Sequence, residues 1–457
     1  MIVARAGLAV AALALLAVLW KTSNQAIPRP VNASSPANSV QAAIDLPADG
    51  STLQGPSYVV GWAVDSASSS GVGIDHVSVF LDGTYVGDAH LGLSRDDIAA
   101  AYGKNFQMAG WQMMLDLDSL TVPGQHHVEI RVRSAVNGAE TSLTHTLSIT
   151  GPQQFCVNDH PLRFDMETAA ASMAEVRAGG MSMMRIDVSW AALEPDAPGV
   201  WSAPYLARLD DVLQLAQDRG VRPILVVVST PAWARGSTGS QMTPPAQPSA
   251  FGDFMGRLAA HYTNRAGMVY EVWNEPNQHQ FWDADGGPDP ATYTALLRAS
   301  YHSIKSAAPS AVVLGGSIAF NDPAFLQGMY AAGASGAFDG LALHPYSGTN
   351  PPDAVEDPSR SFVGAIDQAE DILSAHGDAN KPIWITEMGW SQNDVSDEVR
   401  ATYMASAVNL VRSRSNIAAF CAYTLDQQAD DAAYGLIGSG GQPTQSWLSY
   451  VQAIAKR

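Results

Sequence analysis

From residue 41 to about 150, apolar and polar positions alternate in short runs. "SYVVGWAVD", "IDHVSVFLDGTYVGDAHLG", "WQMMLDLDSL", "HHVEIRVRSAVNG" and "TSLTHTLSI" each carry the period of two expected of half-buried strands. Asp82-Gly83, inside the second run, tolerates positive φ and predicts a hairpin turn. Closely spaced strands with almost no helical period predict a small all-β sandwich over 41–150.

After about residue 151 the pattern changes. Short, nearly continuous apolar runs, "MMRIDVSW", "RPILVVVST", "MVYEVWN", "AVVLGGS", "GLALHPY", "PIWITEMGW" and "IAAFCAYTL", are separated by amphipathic stretches such as "YLARLDDVLQLAQDRG" and "ATYTALLRASYHSIKSAAP". Apolar strands separated by helices predict a parallel sheet buried on both faces. With a weaker first strand near "QQFCVND", the pattern holds eight βα units. That number, in a stretch of this length, predicts an α/β domain of the (β/α)8 TIM-barrel class over 151–457.

The chain opens differently. Arg5 precedes "AGLAVAALALLAVLW", an uncharged run that ends before Lys21. A basic start and an apolar centre match an export signal, although no small-x-small cleavage site follows Trp20, so residues 1–22 are a signal peptide or an N-terminal membrane anchor. Either places the protein outside the cytoplasm, periplasmic, secreted or held at the inner membrane. Residues 23–40, rich in Ser, Asn, Pro and Ala, form a linker. The balance of 25 basic against 44 acidic residues, net −19, disfavours nucleic acid and polyanions as partners. It suits a neutral or basic partner, and equally an acidic coat that only keeps the protein soluble.

Active sites of such barrels lie at the C-terminal ends of the strands. Glu275 follows the fourth strand in "VYEVWNEPN", and Glu387 ends the seventh in "PIWITEMGW". Alternation places Ile383, Ile385 and Glu387 on one face, as an inward-pointing row. Either acid alone would be an ordinary strand-end charge. Two facing each other across one mouth supply what glycoside cleavage needs: a proton donor, and a second carboxylate that attacks the anomeric carbon or activates water.

"YEVWNEPN" and "WITEMGW" resemble the two signatures of clan A glycoside hydrolases, most closely family 39, with family 5 close by. The resemblance spans roughly 151–457. It implies a retaining mechanism with Glu275 as general acid/base and Glu387 as nucleophile, and it assigns Asn274 to the sugar 2-hydroxyl. It also implies that Arg185 pairs with the nucleophile, though an arginine balancing Glu271 or Asp187 in the core fits the same position. His344 resembles a residue lining the sugar site, and Tyr346 a tyrosine that hydrogen-bonds the nucleophile. Where the clan usually has a tryptophan after the eighth strand, this chain offers Tyr423. The segment 41–150 resembles immunoglobulin-like domains of bacterial extracellular enzymes through "GWAVD" and "VFLDGTYVG", as a spacer or a carbohydrate-binding module.

Other positions complete the picture. Glu271, four residues before Glu275, is expected deep in the barrel as a structural acid with an arginine partner. Trp190, Trp233, Trp282 and Trp390 follow strands, and aromatic rings stack on sugar faces; two of the four, with Trp282 and Trp390 preferred, are expected to touch substrate. Cys156 and Cys421 fall on neighbouring strands, and two buried thiols are slightly preferred over a bridge. No CxxC or HExxH occurs, and carboxylates and water suffice, so neither a metal nor an organic cofactor is implied. The resulting expectation is an exported retaining β-glycosidase of polysaccharides or oligosaccharides. The alternatives are a carbohydrate-binding protein that has kept the barrel without its chemistry, and a transglycosylase.

Overall fold

The structure is a computed structural model that describes residues 39–53, 57–115, 124–149, 153–236, 239–265, 267–425, 432–438 and 440–456. The apolar N-terminal segment and the linker lie outside the described residues. Among the described residues, no helix is long and apolar enough to cross a membrane. The chain divides into two compact units. The smaller is built mainly from Pro56–Asp116 and His126–Leu147, and the larger contains Ser148–Arg457.

Two sheets make up the N-terminal region. One has the order β1 (Val40–Leu46), β3 (Ser57–Asp65), β7 (Gly110–Leu115), β6 (His90–Leu93). The other runs β2 (Thr52–Leu53), β9 (Glu140–Ile149), β8 (Gly124–Ser134), β4 (Ile74–Leu81), β5 (Thr84–Asp88). Alternation decides what is buried: Val77, Val79 and Leu81 on β4, and Val128, Ile130 and Val132 on β8, are all buried. Asp82 and Gly83 join β4 to β5 with φ of 50° and 78°, the left-handed pair a tight hairpin turn requires. Gly61 lies under Trp111, where a Cβ would come 2.0 Å from the Ala43 carbonyl oxygen. Two elements escaped the period-two reading, the short helix α1 (Asp96–Tyr102), which buries only Ile98, and a 3-10 turn (Lys104–Phe106) that buries Phe106.

The larger unit is a closed eight-stranded parallel barrel, in chain order: β10 (Gln154–Asn158), β11 (Met183–Ser189), β12 (Arg222–Val228), β13 (Val269–Val272), β14 (Val312–Ala319), β15 (Gly340–His344), β16 (Ile383–Met388) and β17 (Ile417–Ala422). Each expected apolar run forms a strand. The amphipathic stretches form helices; Pro290–Ala307 is capped by Asp289 and buries Tyr293, Leu296, Leu297, Ser300 and Ile304, a stripe of helical period.

Inside the barrel two layers follow from strand alternation. The lower is apolar: Cys156, Met183, Ile224, Val269, Leu314, Ala342, Trp384 and Cys421 pack together. Two residues further along the strands, the same inward positions hold Asn158, Arg185, Val226, Glu271, Gly316, His344, Thr386 and Tyr423. Six of these eight carry polar side chains, and this upper layer is the floor of the barrel mouth.

Two expectations are corrected here. Cys156 and Cys421 are not free thiols. They are directly paired residues of β10 and β17, with Cα atoms 4.2 Å apart, and are joined by a disulfide. The bond lies at the seam where the first and last strands meet. On β16, the inward row is Trp384 and Thr386, not Ile383 and Ile385, which face the helices. The pairing of β16 with β17 breaks register between Ile385 and Met388, and that irregularity lets Glu387 join the site.

Candidate active site

Glu275 is positioned by an unusual stretch of backbone. β13 ends at Val272, and Trp273 and Glu275 then take φ of 69° and 42°, left-handed values that cost non-glycine residues roughly 1 kcal/mol or more each. Neighbouring contacts hold the turn. The Asn277 amide donates to the Ala319 carbonyl at 3.0 Å and accepts from the Ala319 N–H at 3.0 Å, tying the turn to the end of β14. The Trp273 indole N–H donates to the Phe281 carbonyl at 2.7 Å.

Arg185 is the hub. Its Nε and Nη2 donate to Glu271 at 2.6 and 3.1 Å, its Nη1 to Glu387 Oε1 at 2.5 Å and to Asn158 Oδ1 at 3.0 Å, and its Nη2 to Asn274 Oδ1 at 2.8 Å. Both readings of this arginine therefore hold at once: it pairs Glu387 and it balances Glu271. Asp187 is engaged elsewhere, with His160 and Arg163. The second oxygen of Glu387 accepts from the Tyr346 hydroxyl at 2.9 Å. Glu387 thus has a fixed cation on one oxygen and a phenol on the other.

Glu275 has a different partner. Its Oε1 lies 2.9 Å from His344 Nδ1, and among the described residues no hydrogen bond reaches Oε2. Burial raises the Glu275 carboxyl above the ordinary glutamate range, and the charge of Glu387 raises it further, against the opposing pull of His344. For Glu271, burial also opposes ionisation, but Arg185 and His344 outweigh it and hold the carboxyl down at about 2. Burial would lower His344; the charge of Glu387, the nearby carboxylate of Glu271 and the bond to Glu275 instead raise it to about 9. Two carboxylates in one site thus differ in environment, one favouring its proton and the other held by a guanidinium.

Oxygens of Glu275 and Glu387 and a nitrogen of His344 all lie within 4.8 Å of one another. Three such donors could in principle hold a cation. Here the Arg185 guanidinium and the Tyr346 hydroxyl already take both oxygens of Glu387, and a metal ion would face the arginine's charge at short range. The arrangement is hydrogen-bonded and suits proton transfer and nucleophilic attack. The spacing of the two carboxylates is that of a pair able to act directly on one anomeric carbon.

The remaining expected residues separate. Asn274 is half-buried beside Glu275, and Tyr346 and Tyr423 are half-buried with ring centres 6.3 Å apart. His344 does not reach the sugar site directly: it is fully buried, with Nδ1 against Glu275. Trp282 and Trp390, the preferred sugar platforms, are also corrected. Trp282 is fully buried against Trp273 and Tyr293, and Trp390 is 1% exposed, with its indole N–H bonded to Ser347 and the Asn350 carbonyl. Both rings fill space beneath the loops. Trp190 is buried too, so of the four only Trp233 keeps a partly exposed ring.

Four contributors were missed: Asn158, Thr386, Ser317 and Tyr434. Asn158 and Thr386 occupy upper-layer positions, two residues beyond Cys156 and Trp384, so reading every strand at that offset would have found them. Ser317 donates to Glu271 at 2.6 Å. Tyr434 lies beyond the eighth strand, with its ring centre 5.9 Å from Tyr346 and 5.8 Å from Tyr423, and no periodicity marks it.

Comparison with known proteins addresses the barrel. A search of curated proteins finds no match. Among solved structures, a family 39 glycoside hydrolase from Bacteroides cellulosilyticus WH2 aligns with 19% identity over 91% of this chain and 83% of its own, with a TM-score of 0.55. A monomeric β-xylosidase from Caulobacter crescentus CB15 aligns with 21% identity over 66% of this chain and 68% of its own, TM-score 0.54. An exo-β-1,4-mannosidase from Opitutaceae bacterium strain TAV5 aligns with 15% identity over 75% and 62%, TM-score 0.51. At these identities the likeness establishes the fold. The sequence profile described as cellulase, glycosyl hydrolase family 5, matches residues 139–427, more than half of the chain. The protein is a glycosidase and belongs to glycosyl hydrolase family 5.

Proposed function

We propose that this glycosidase is an exported, retaining β-glycoside hydrolase that cleaves a neutral or weakly charged polysaccharide or oligosaccharide by double displacement. The observation that carries the mechanism is the pair of carboxylates: Glu275 and Glu387 present oxygens within 4.8 Å of each other, in different hydrogen-bonded environments. Inverting enzymes need a wider gap, roughly 6.5–9.5 Å, to admit a water. Glu387, steadied by Arg185 and Tyr346, attacks the anomeric carbon while Glu275 protonates the leaving oxygen. Water then enters, Glu275 takes its proton, and the glycosyl–Glu387 ester is released. Asn274, held by Arg185, is placed beside this centre to contact a sugar hydroxyl, and Tyr423 takes the place of a ring under the sugar.

β-Linked substrates are supported by the two structural neighbours named as a β-xylosidase and an exo-β-1,4-mannosidase. Export is supported by the basic-then-apolar N-terminus and by the Cys156–Cys421 disulfide, which suits an oxidising compartment. A reducing-end assay across β-linked polysaccharides and 4-nitrophenyl β-glycosides tests the reading, with Glu387→Gln as the inactive control. The first anomer seen by NMR should keep the substrate's β configuration. An α product, or full activity in Glu387→Gln, would sink the proposal; a binding protein without chemistry would release no sugar at all.

A further inference from the structure

Beneath Glu275 runs a chain of hydrogen bonds that the double-displacement scheme does not use. Glu271 is fully buried and accepts from Arg185 at 2.6 and 3.1 Å, from Ser317 at 2.6 Å and from the Thr386 hydroxyl at 2.9 Å. Thr386 Oγ1 is also 3.0 Å from His344 Nε2, and His344 Nδ1 is 2.9 Å from Glu275 Oε1. The proton positions follow from counting. Glu271, surrounded by four donated bonds, is an acceptor only. Thr386 has one hydrogen, and it goes to Glu271; the reverse orientation would set lone pairs against each other. Its oxygen must therefore accept from His344 Nε2–H.

That leaves His344 Nδ1, and two arrangements are possible there. If His344 is neutral, Nδ1 is an acceptor and draws the acid proton of Glu275 onto Oε1, the inner oxygen. If His344 is a cation, Nδ1–H donates to Oε1, and the acid proton sits on Oε2, which has no partner among the described residues. Only the second arrangement points the proton at a leaving group. The groups facing His344 favour it. Glu271 lies 3.6 Å from Nε2 and Glu387 3.7 Å from Nδ1, with Glu275 in direct contact; Arg185 opposes from across Glu271 and Glu387, and Tyr346 is the phenol on the following turn.

We propose that Glu271 and Thr386 are positioning residues that hold His344 as a two-donor cation and so steer the acid proton of Glu275 onto Oε2. The inference rests on Glu275 being the acid. It assigns the buried glutamate a part in the chemistry beyond balancing an arginine. No proton is gained or lost in the chain beneath: Glu275 gives Oε2–H to the leaving oxygen as the glycosidic bond breaks, and His344 keeps both of its hydrogens.

The direct test is 15N NMR of histidine-labelled protein, with His344→Gln identifying the resonance among the 11 histidines. In the wild type both ring nitrogens of His344 should be protonated at pH 7. Thr386→Val should lower the pH at which one proton is lost by at least one unit, and Thr386→Ser should restore it. In kinetics, Thr386→Val should lose about 10- to 100-fold on phenyl glycosides, which need acid assistance, and change little on 2,4-dinitrophenyl glycosides. A neutral His344 in the wild type at pH 7, or an unchanged cation in Thr386→Val, overturns the proposal. If His344 is a cation but Glu275→Gln shows no dependence on leaving group, what fails is the assignment of Glu275 as the acid, and the proton count beneath it stands.

Discussion

The two inward layers of the barrel are separated by one strand repeat, yet they solve opposite problems. The lower layer holds Met183, Ile224, Val269, Leu314, Ala342 and Trp384 around a disulfide, with no charge among them. The upper layer gathers Arg185, Glu271 and His344, all nearly or fully buried, and brings Glu275 and Glu387 against them. Apolar packing stabilises whatever the exact partner, whereas a buried charge is tolerated only when each of its bonds is met. The lower layer can therefore be judged by volume alone. The upper layer must be judged by its complete set of hydrogen bonds, and that demand for completeness is what aligns Glu275 and Glu387.

Substitutions should separate the layers by what they change. Glu387→Gln is expected to lower kcat by about 10⁴-fold or more while the folded barrel persists, measured by steady-state kinetics beside thermal melting. Loss of the melting transition instead would mean that this carboxylate is structural. Trp384→Ala, one layer down, should destabilise by about 3–5 kcal/mol in urea titration and leave the kcat of the folded fraction nearly unchanged. Removing the bridge with Cys156→Ala and Cys421→Ala should cost about 2–5 kcal/mol, since it closes a separation of 265 residues. The wild type should then show the same loss on reduction, and the double variant should be indifferent to reductant.

The smallest expected effect concerns pH. Burial and Glu387 raise the Glu275 carboxyl while His344 opposes them, so His344→Gln removes the opposing influence. Glu275 should then keep its proton to higher pH, and the alkaline limb of the kcat/KM profile should move upward. A downward shift would contradict the assignment of the charges around it.

Much of this was legible in the chain. Apolar runs located all eight barrel strands, because a strand buried on both faces must be apolar nearly throughout, and Asp82-Gly83 marked its hairpin, because few dipeptides accept positive φ. Glu275 and Glu387 stood out because an acid ending an apolar strand is costly without a use. Depth was not legible. Trp282 and Trp390 follow strands just as cleft residues do, but the loops above fold over them, and burial depends on neighbours distant in sequence.

What the sequence determined by itself was periodicity, and with it the strands, the helices and the end of the barrel at which the acids emerge, since these depend on residues a few positions apart. Only the tertiary structure decided how Glu387 enters the site, through a break in register with β17, and that Cys156 meets Cys421. It also decided that Thr386 links Glu271 to His344. Those outcomes turn on ångström-scale approaches between strands remote in the chain, and hydrogen bonds and disulfides form only within such distances.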